Sequence, residues 1–306
     1  MNQQPPVILT PEAEGSPGGL RSREVLRSAQ DDKKRSRVRA DLRGIYIIWF
    51  RDVLRFWRDR ARVASALGQP VLYLFIFGSG LRSAMGGDSQ SGVGADYVAF
   101  LFPGVIAMSV LFTSVFSAMS IVWDREFGFL KEVLVAPVSR WAVGVGKALG
   151  GATQAVLQGT IVLLFAPLAG VPLTPLLVVQ LIPLMALLAF ALTSLGIVIA
   201  SRMKSMEGFQ VVMNFLVMPM FFLSGALFPL RDVPGWLAVL THLDPVAYGV
   251  DPLRRAVLTA LEVPAQAAAG IEILGYQLSI MQEVGIMAGF AALMLIPAVR
   301  SFRVQE

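Results

Sequence analysis

Six long apolar runs constrain this chain more than anything else in it. They are Val63–Leu81, Val98–Val122, Ala148–Ala169, Pro175–Ala200, Phe209–Leu230 and Val284–Val299, the last extending back to about residue 280. About 20 apolar residues cross a bilayer as an α-helix. The runs are too long and too continuous for barrel strands. The expected fold class is therefore an all-α integral membrane protein with six transmembrane helices. Composition agrees, since 55% of the 306 residues are hydrophobic and only 15% are charged, against roughly 25% charged in ordinary soluble domains.

Charge fixes an expected orientation. Residues 1–62 hold 14 of the 26 Lys and Arg. With the N-terminus inside, the inner segments collect 22 and the outer segments only Arg82, Arg231, Arg254 and Arg255. The positive-inside rule then places both termini in the cytoplasm. Residues 1–37 are rich in Pro, Gly, Ser and charge, a composition expected to be disordered. They read as a cytoplasmic tail, either regulatory or without a role. A transmembrane domain is expected to follow over residues 38–303.

Residues 40–62 differ from that tail. Leu42, Ile45, Tyr46, Trp49, Phe50, Val53, Phe56 and Trp57 recur at helical spacing, while Arg51, Arg55, Arg58 and Arg62 line another face. A basic amphipathic helix with Trp at its edge suits the membrane interface. A soluble core helix is less consistent with the apolar run that follows at once.

Several chemistries find no support. With no Cys, neither disulfides nor Cys-based zinc sites are possible, and the single His242 cannot build a His cluster. Neither HExxH nor GxSxG occurs. GVGKALGG, Gly144–Gly151, looks like a phosphate loop, but Trp141 stands where the first Gly belongs and Ala148 follows the Lys. Packing explains these glycines better. Gly146 and Gly150 are four apart, as are Gly151, Ala155 and Gly159, and small residues at that spacing let membrane helices approach closely. Gln180 and Asn214 are span amides suited to interhelical hydrogen bonds. Acidic groups inside the spans are essentially absent, so no energy-coupling group is visible. Energy for any transport is expected from a partner.

Between the second and third runs lies WDREFGFLKEVLVAPVSRW, Trp123–Trp141, with six charges before its last Trp. Read as a helix from Asp124 to about Val135, it places Phe127, Leu130 and Leu134 on one face, and Asp124 and Glu126 at its N-terminus, where the dipole favours anions. Pro137 ends it. Mixed charge argues against a simple membrane anchor. The residues alone leave a docking helix for a cytoplasmic protein and a solvated loop both open. Later, PGWLAVLTHLDPVAYGVDPLRRAVLTALEV, within the long outer loop 231–283, reads as short helices broken by Pro.

This stretch and its continuation, WDREFGFLKEVLVAPVSRWAVGVGKALG, resemble the cytoplasmic signature of ABC-2-type transporter permeases, W-E/D-R-E-x-G-F-L-K/R-E/D-x-L-x-A/S-P-V/I-S-R. FFLSGALFPLRDVPGWLAVLTHLDPVAYGVDPLRRAVL, Phe221–Leu258, resembles the family's fifth span and the sequence after it. The likeness covers about residues 40–303 and is nearest in flavour to daunorubicin-type drug exporters and nodulation lipo-oligosaccharide exporters. It implies a permease subunit of an exporter in the bacterial inner membrane, with no ATPase site and no cofactor of its own. ATP and Mg would be bound by a separate cytoplasmic ABC ATPase, two copies of it serving two copies of the permease, with homodimer and heterodimer both open.

The resemblance also implies roles for residues of this chain. The ATPase-docking coupling helix would use Asp124, Arg125, Glu126, Phe129, Leu130, Lys131, Glu132 and Pro137. The interfacial helix would carry Trp49, Arg51, Arg55, Trp57 and Arg58. An external re-entrant pair would include Pro234, Trp236, Asp244, Pro245, Tyr248 and Arg254. Spans one, two and five would line the path, with Phe75, Phe112, Phe116, Met213 and Phe222 as candidate lining residues. The alternative function of the same topology is a membrane scaffold or sensor that transports nothing.

Overall fold

A computed structural model describes residues 17–84, 93–127, 139–228, 233–262, 270–273 and 276–301. These residues are helical almost throughout. Helix α1 runs Pro17–Arg58 and α2 Arg60–Ala84. Helices α3 (Val93–Ser117) and α4 (Met119–Glu126) are separated only by Ala118 and together form one bent rod. Helix α5 is Arg140–Leu163. A 3-10 turn, Ala166–Ala169, and left-handed Gly170 (φ 76°) reverse the chain into α6, Pro175–Ala200. The Thr174 hydroxyl caps α6 by accepting the Leu177 N–H, and Pro175 starts the helix where no N–H is needed. Ser205 caps α7, Met206–Leu223, in the same way through Gly208. Then come α8 (Gly235–Leu243), α9 (Ala247–Ala260) and α10 (Ile280–Ser301).

Helix α5 sits at the centre, against α1, α3 and α6. Helix α9 packs on α3, α6 and α10, and α10 lies along α6. Phe102, Ile106, Leu181, Met185, Leu188 and Phe209 are wholly buried in the core they share. The glycines serve the contacts expected of them. A Cβ on Gly146 would come within 3.1 Å of the Ile48 side chain, and one on Gly150 within 3.1 Å of the Asp52 Cβ. Gly159 lies against Met185 and Val110.

Among the described residues, four segments are long and apolar enough to cross a membrane: Tyr97–Glu126, Pro175–Ala200, Met206–Leu223 and Ile280–Ser301. They correspond to four of the six expected spans. The span expected over 63–81 falls in α2, whose apolar stretch is the short Leu67–Ile76. The span expected over 148–169 falls in α5, where Lys147, Gln154, Gln158 and many small residues hold hydropathy down.

Three boundaries differ from the sequence reading. The tail expected to be disordered is helical from Pro17 onward, because Leu, Arg, Glu, Gln, Lys and Ala dominate it and Pro17 can open a helix. The interfacial helix is part of that rod and ends at Arg58, four residues early, at a break centred on Asp59. The fifth span ends at Leu223, not Leu230, since Gly225 adopts φ 71° and turns the chain. Beside this helical fold, Glu272–Ile273 (β1) and Tyr276–Gln277 (β2) form one short antiparallel pairing, Glu272 opposite Gln277.

Candidate functional site

The charged signature after the second span starts differently from its sequence reading. Asp124, Arg125 and Glu126 do not open a helix. They form the last turn of α4, which closes at Phe127. The apolar run Val98–Val122 is helical already, and its hydrogen-bonding carries through the charged triplet. The dipole argument for acids at a helix N-terminus therefore does not apply to Asp124 and Glu126. Their stabilisation has another source.

For Asp124 the source is a buried cluster where α1, α4 and α5 meet. Its carboxylate Oδ2 lies 2.8 Å from the Lys147 ammonium and 3.4 Å from the Arg51 guanidinium. Lys147 also lies 3.3 Å from Asp52 Oδ2 and donates to the Ser120 hydroxyl at 3.2 Å. The side chains of Lys147, Asp52 and Asp124 are each 6% exposed. Burial of charge is tolerated only when paired and hydrogen-bonded, and here two carboxylates share one ammonium with Arg51 at the rim. Around it, Gln154 donates to the Asp52 carbonyl (3.0 Å) and the Trp49 indole to the Thr153 hydroxyl (2.9 Å). The Asp41 carboxylate accepts the Ser139 N–H at 2.8 Å, at the entrance to α5.

Arg125 reaches the other way. Its guanidinium donates to the carbonyls of Ser201 (2.6 Å) and Met203 (2.7 Å) in the turn between α6 and α7. Arg55 lies over the Trp123 ring at 5.7 Å. One helical turn, Trp123–Glu126, is thus tied to α1, to α5 and to the α6–α7 turn. Glu126 is exposed. Phe129, Leu130, Lys131, Glu132 and Pro137 lie outside the described residues. On α1, Trp57 and Arg58 face outward.

A second polar assembly occupies the other end of the bundle. Arg255 pairs with Asp251 (2.7 Å) and with Glu283 (2.9 Å), and donates to the Leu278 carbonyl at 2.8 Å. A Cβ on Gly270 would collide with this guanidinium. Arg254 is buried, donates to the carbonyls of Gly225 and Ala226, and stacks over Phe100 at 4.1 Å. Tyr97 on α3 donates to the Leu227 carbonyl at 3.2 Å. Asp244 turns the chain between α8 and α9 by accepting the Val246 N–H at 3.0 Å. Burial pushes its carboxyl up to about 8. Tyr248 donates to the His242 carbonyl at 2.9 Å. Pro234 caps α8, Pro245 is half-buried in the turn and Trp236 is exposed.

The candidate lining residues occupy three different environments. Phe112 and Phe116 stack at 6.2 Å, half-buried. Phe75 and Phe222 are exposed. Met213 is wholly buried in the core, so it faces no path along this chain's surface.

Sequence reasoning missed Asp52, Lys147, Gln154, Asp251, Arg255 and Glu283. Glu283, fully buried in the first turn of α10, contradicts the expectation of essentially no acid within a span. The signal was present, since an ionisable residue in an apolar run demands a partner. Gln180 and Asn214 are exposed. Among the described residues, the buried side-chain amides are Gln154 and Gln158.

Both assemblies pair charges with charges and donors with carbonyls across helices, an arrangement suited to holding and moving helices. Known proteins resemble this chain in sequence. Residues 43–258 match the family described as ABC-2 type transporter. The chain is similar to a protein of Cyanophora paradoxa described as a transport permease, ycf38. That pair is 29% identical over 216 residues, 70% of this chain and 73% of that one. It is 31% identical to Nodulation protein J of Rhizobium leguminosarum bv. viciae over 216 residues, 69% of this chain and 81% of that one. It is 28% identical over 165 residues to an Escherichia coli K12 protein described as a multidrug ABC transporter permease, YbhR, covering 53% of this chain and 45% of that one. With its apolar helices and a family match over residues 43–258, the chain belongs to the ABC-2 type transporter family, as a multi-pass membrane subunit of the permease type.

Proposed function

We propose that this chain is the permease subunit of an ABC exporter, moving an amphiphilic drug, lipid or lipo-oligosaccharide outward with energy from a separate ATPase subunit. Two permeases pair, each binding one ATPase. ATP and Mg bind in those ATPases, and this chain holds neither. Six spans cross the bacterial inner membrane with both termini in the cytoplasm, α1 lies along the inner leaflet, and α8 and α9 face outward.

The observation that carries the reading is the anchoring of the α4 terminus. The charged segment that begins there enters the membrane domain through one turn, and that turn is bonded to three separate elements by Asp124, Arg125 and Lys147. ATPase closure would push residues 124–137. The push would be divided among α1, α5 and the α6–α7 turn, switching the bundle between two packings a few kcal/mol apart. Phe75 and Phe222, both exposed, with Phe112 and Phe116 beside them, are the groups proposed to meet substrate between two copies.

Replacing Glu126 and Lys131 with Ala tests the docking. At matched expression, co-purification of the ATPase and ATP-dependent efflux should both fall. Unchanged retention and unchanged efflux together refute the role.

A further inference from the structure

Helix α1 divides its charge between two faces. Over residues 36–58 its two acids turn inward, Asp41 to the Ser139 N–H and Asp52 to Lys147. Gly44 and Phe56 are buried on that same side, and Gly146 and Gly150 of α5 let the inward side approach closely. Leu42, Tyr46, Ile47, Phe50, Leu54 and Trp57 are exposed, Trp57 by 63%. Arg39, Arg43 and Arg58 are exposed beside them. Asp59, at the break after α1, is the one exposed acid between residues 36 and 60. Lys33, Lys34 and Arg35 precede this stretch in the same helix.

We infer that the outward face of α1 is a binding surface for anionic phospholipid headgroups. An apolar stripe sinks into the acyl boundary while the Arg side chains remain at headgroup level, where phosphate accepts their hydrogen bonds. Tyr and Trp favour that same depth. A rim of single sign complements an anionic leaflet, whereas a docked protein would need acids and bases in a matched pattern. The surface then has a consequence for the subunit. The inward side of the same helix holds Lys147, so the lipid beneath α1 sets the position of the polar cluster.

This inference rests on the reading that α1 lies along the inner leaflet, and the test separates the two. The full chain, with a photoreactive benzoylphenylalanine at Trp57, is placed in host membranes and in nanodiscs of equal phosphatidylglycerol and phosphatidylcholine. Adducts are read by mass spectrometry. Phosphatidylglycerol adducts should dominate by at least ~5-fold at low salt, and the excess should shrink at high salt. Arg39→Gln/Arg43→Gln/Arg58→Gln should abolish the preference, and Arg→Lys at the same three positions should keep it. Lipid adducts without headgroup preference, or a preference that survives the three Gln substitutions, overturn the inference while leaving α1 at the interface. Adducts to a protein subunit, or none to lipid, overturn both. Should the Gln variant fail to assemble, the salt series on the unsubstituted rim decides alone.

Discussion

Replacing Lys147 with Met removes the one ammonium that Asp52 and Asp124 share, while keeping most of the side-chain volume. A surface ion pair would cost 0–1 kcal/mol to break. This one is not at the surface, since all three side chains are 6% exposed, and solvent cannot replace the lost cation. Breaking a buried pair by removing one partner costs about 3–5 kcal/mol. Arg51 offsets part of that, being 3.4 Å from Asp124 and 3.3 Å from Asp52, yet its own side chain is 36% exposed, so its contribution is screened. The expected loss is therefore about 3 kcal/mol. At roughly 2–4 °C per kcal/mol this lowers the midpoint of thermal unfolding by about 6–12 °C. The assay is intrinsic-fluorescence unfolding of the purified chain in detergent, run beside the triple variant Lys147→Met/Asp52→Asn/Asp124→Asn. That variant buries no unpaired charge and should recover most of the loss. A drop of under about 2 °C for Lys147→Met would show the cluster to be hydrated. A triple variant as unstable as the single one would assign the effect to packing, and the electrostatic account would fail.

Two further outcomes follow from local geometry. A Cβ on Gly151 would collide with the Ser117 hydroxyl and lie 2.6 Å from Thr193 Cγ2, so Gly151→Leu should cost at least 1–3 kcal/mol of overpacking. Gly68, with nothing within 4 Å, should accept Ala with no loss in the same unfolding assay. Asp244 carries a carboxyl raised by burial from 3.8 to about 8, so the folded chain holds a proton that the unfolded chain releases above pH 3.8. Its contribution to stability is greatest below that pH, is lost as pH rises, and levels off above about 8. Asp244→Asn should flatten the midpoint-versus-pH curve across this window, and an unchanged curve would count against burial as the cause.

Much of the fold is legible because membrane helices announce themselves by length and hydropathy. The cores of α3, α6, α7 and α10 follow from uninterrupted apolar runs, and the pairs Gly146/Gly150 and Gly151/Gly159 mark where α5 is approached closely. The polar clusters are harder to see, because a charge near a span end looks the same whether it faces water or a partner 95 residues away. Asp52 and Lys147 lie 3.3 Å apart in space but on different helices, and periodicity carries no information about such pairs. The beginning of the charged segment departs from its sequence pattern for a different reason. Acids at Asp124 and Glu126 fit an N-terminus by dipole, but propagation of an existing helix costs less than nucleating a new one, so α4 continued through them.

Helix α5 shows why composition and position must be weighed together. It is less apolar than the four segments that qualify as spans, yet it occupies the middle of the bundle, against α1, α3 and α6. A helix facing lipid must be apolar because lipid offers no hydrogen bonds. A helix enclosed by other helices is released from that demand, provided its polar groups find partners. Lys147 and Gln154 do so on α1 and α4, and the glycines let those partners come close enough to be reached. Low hydropathy is thus a consequence of central position, and the same residues that lower it bind the charged end of α4 to the rest of the bundle. Polarity concentrated at one end of an enclosed helix gives it a side that can be pulled. On the proposed reading, in which an ATPase subunit acts at that end, α5 would be the element through which displacement of the α4 terminus reaches both α1 and the apolar core.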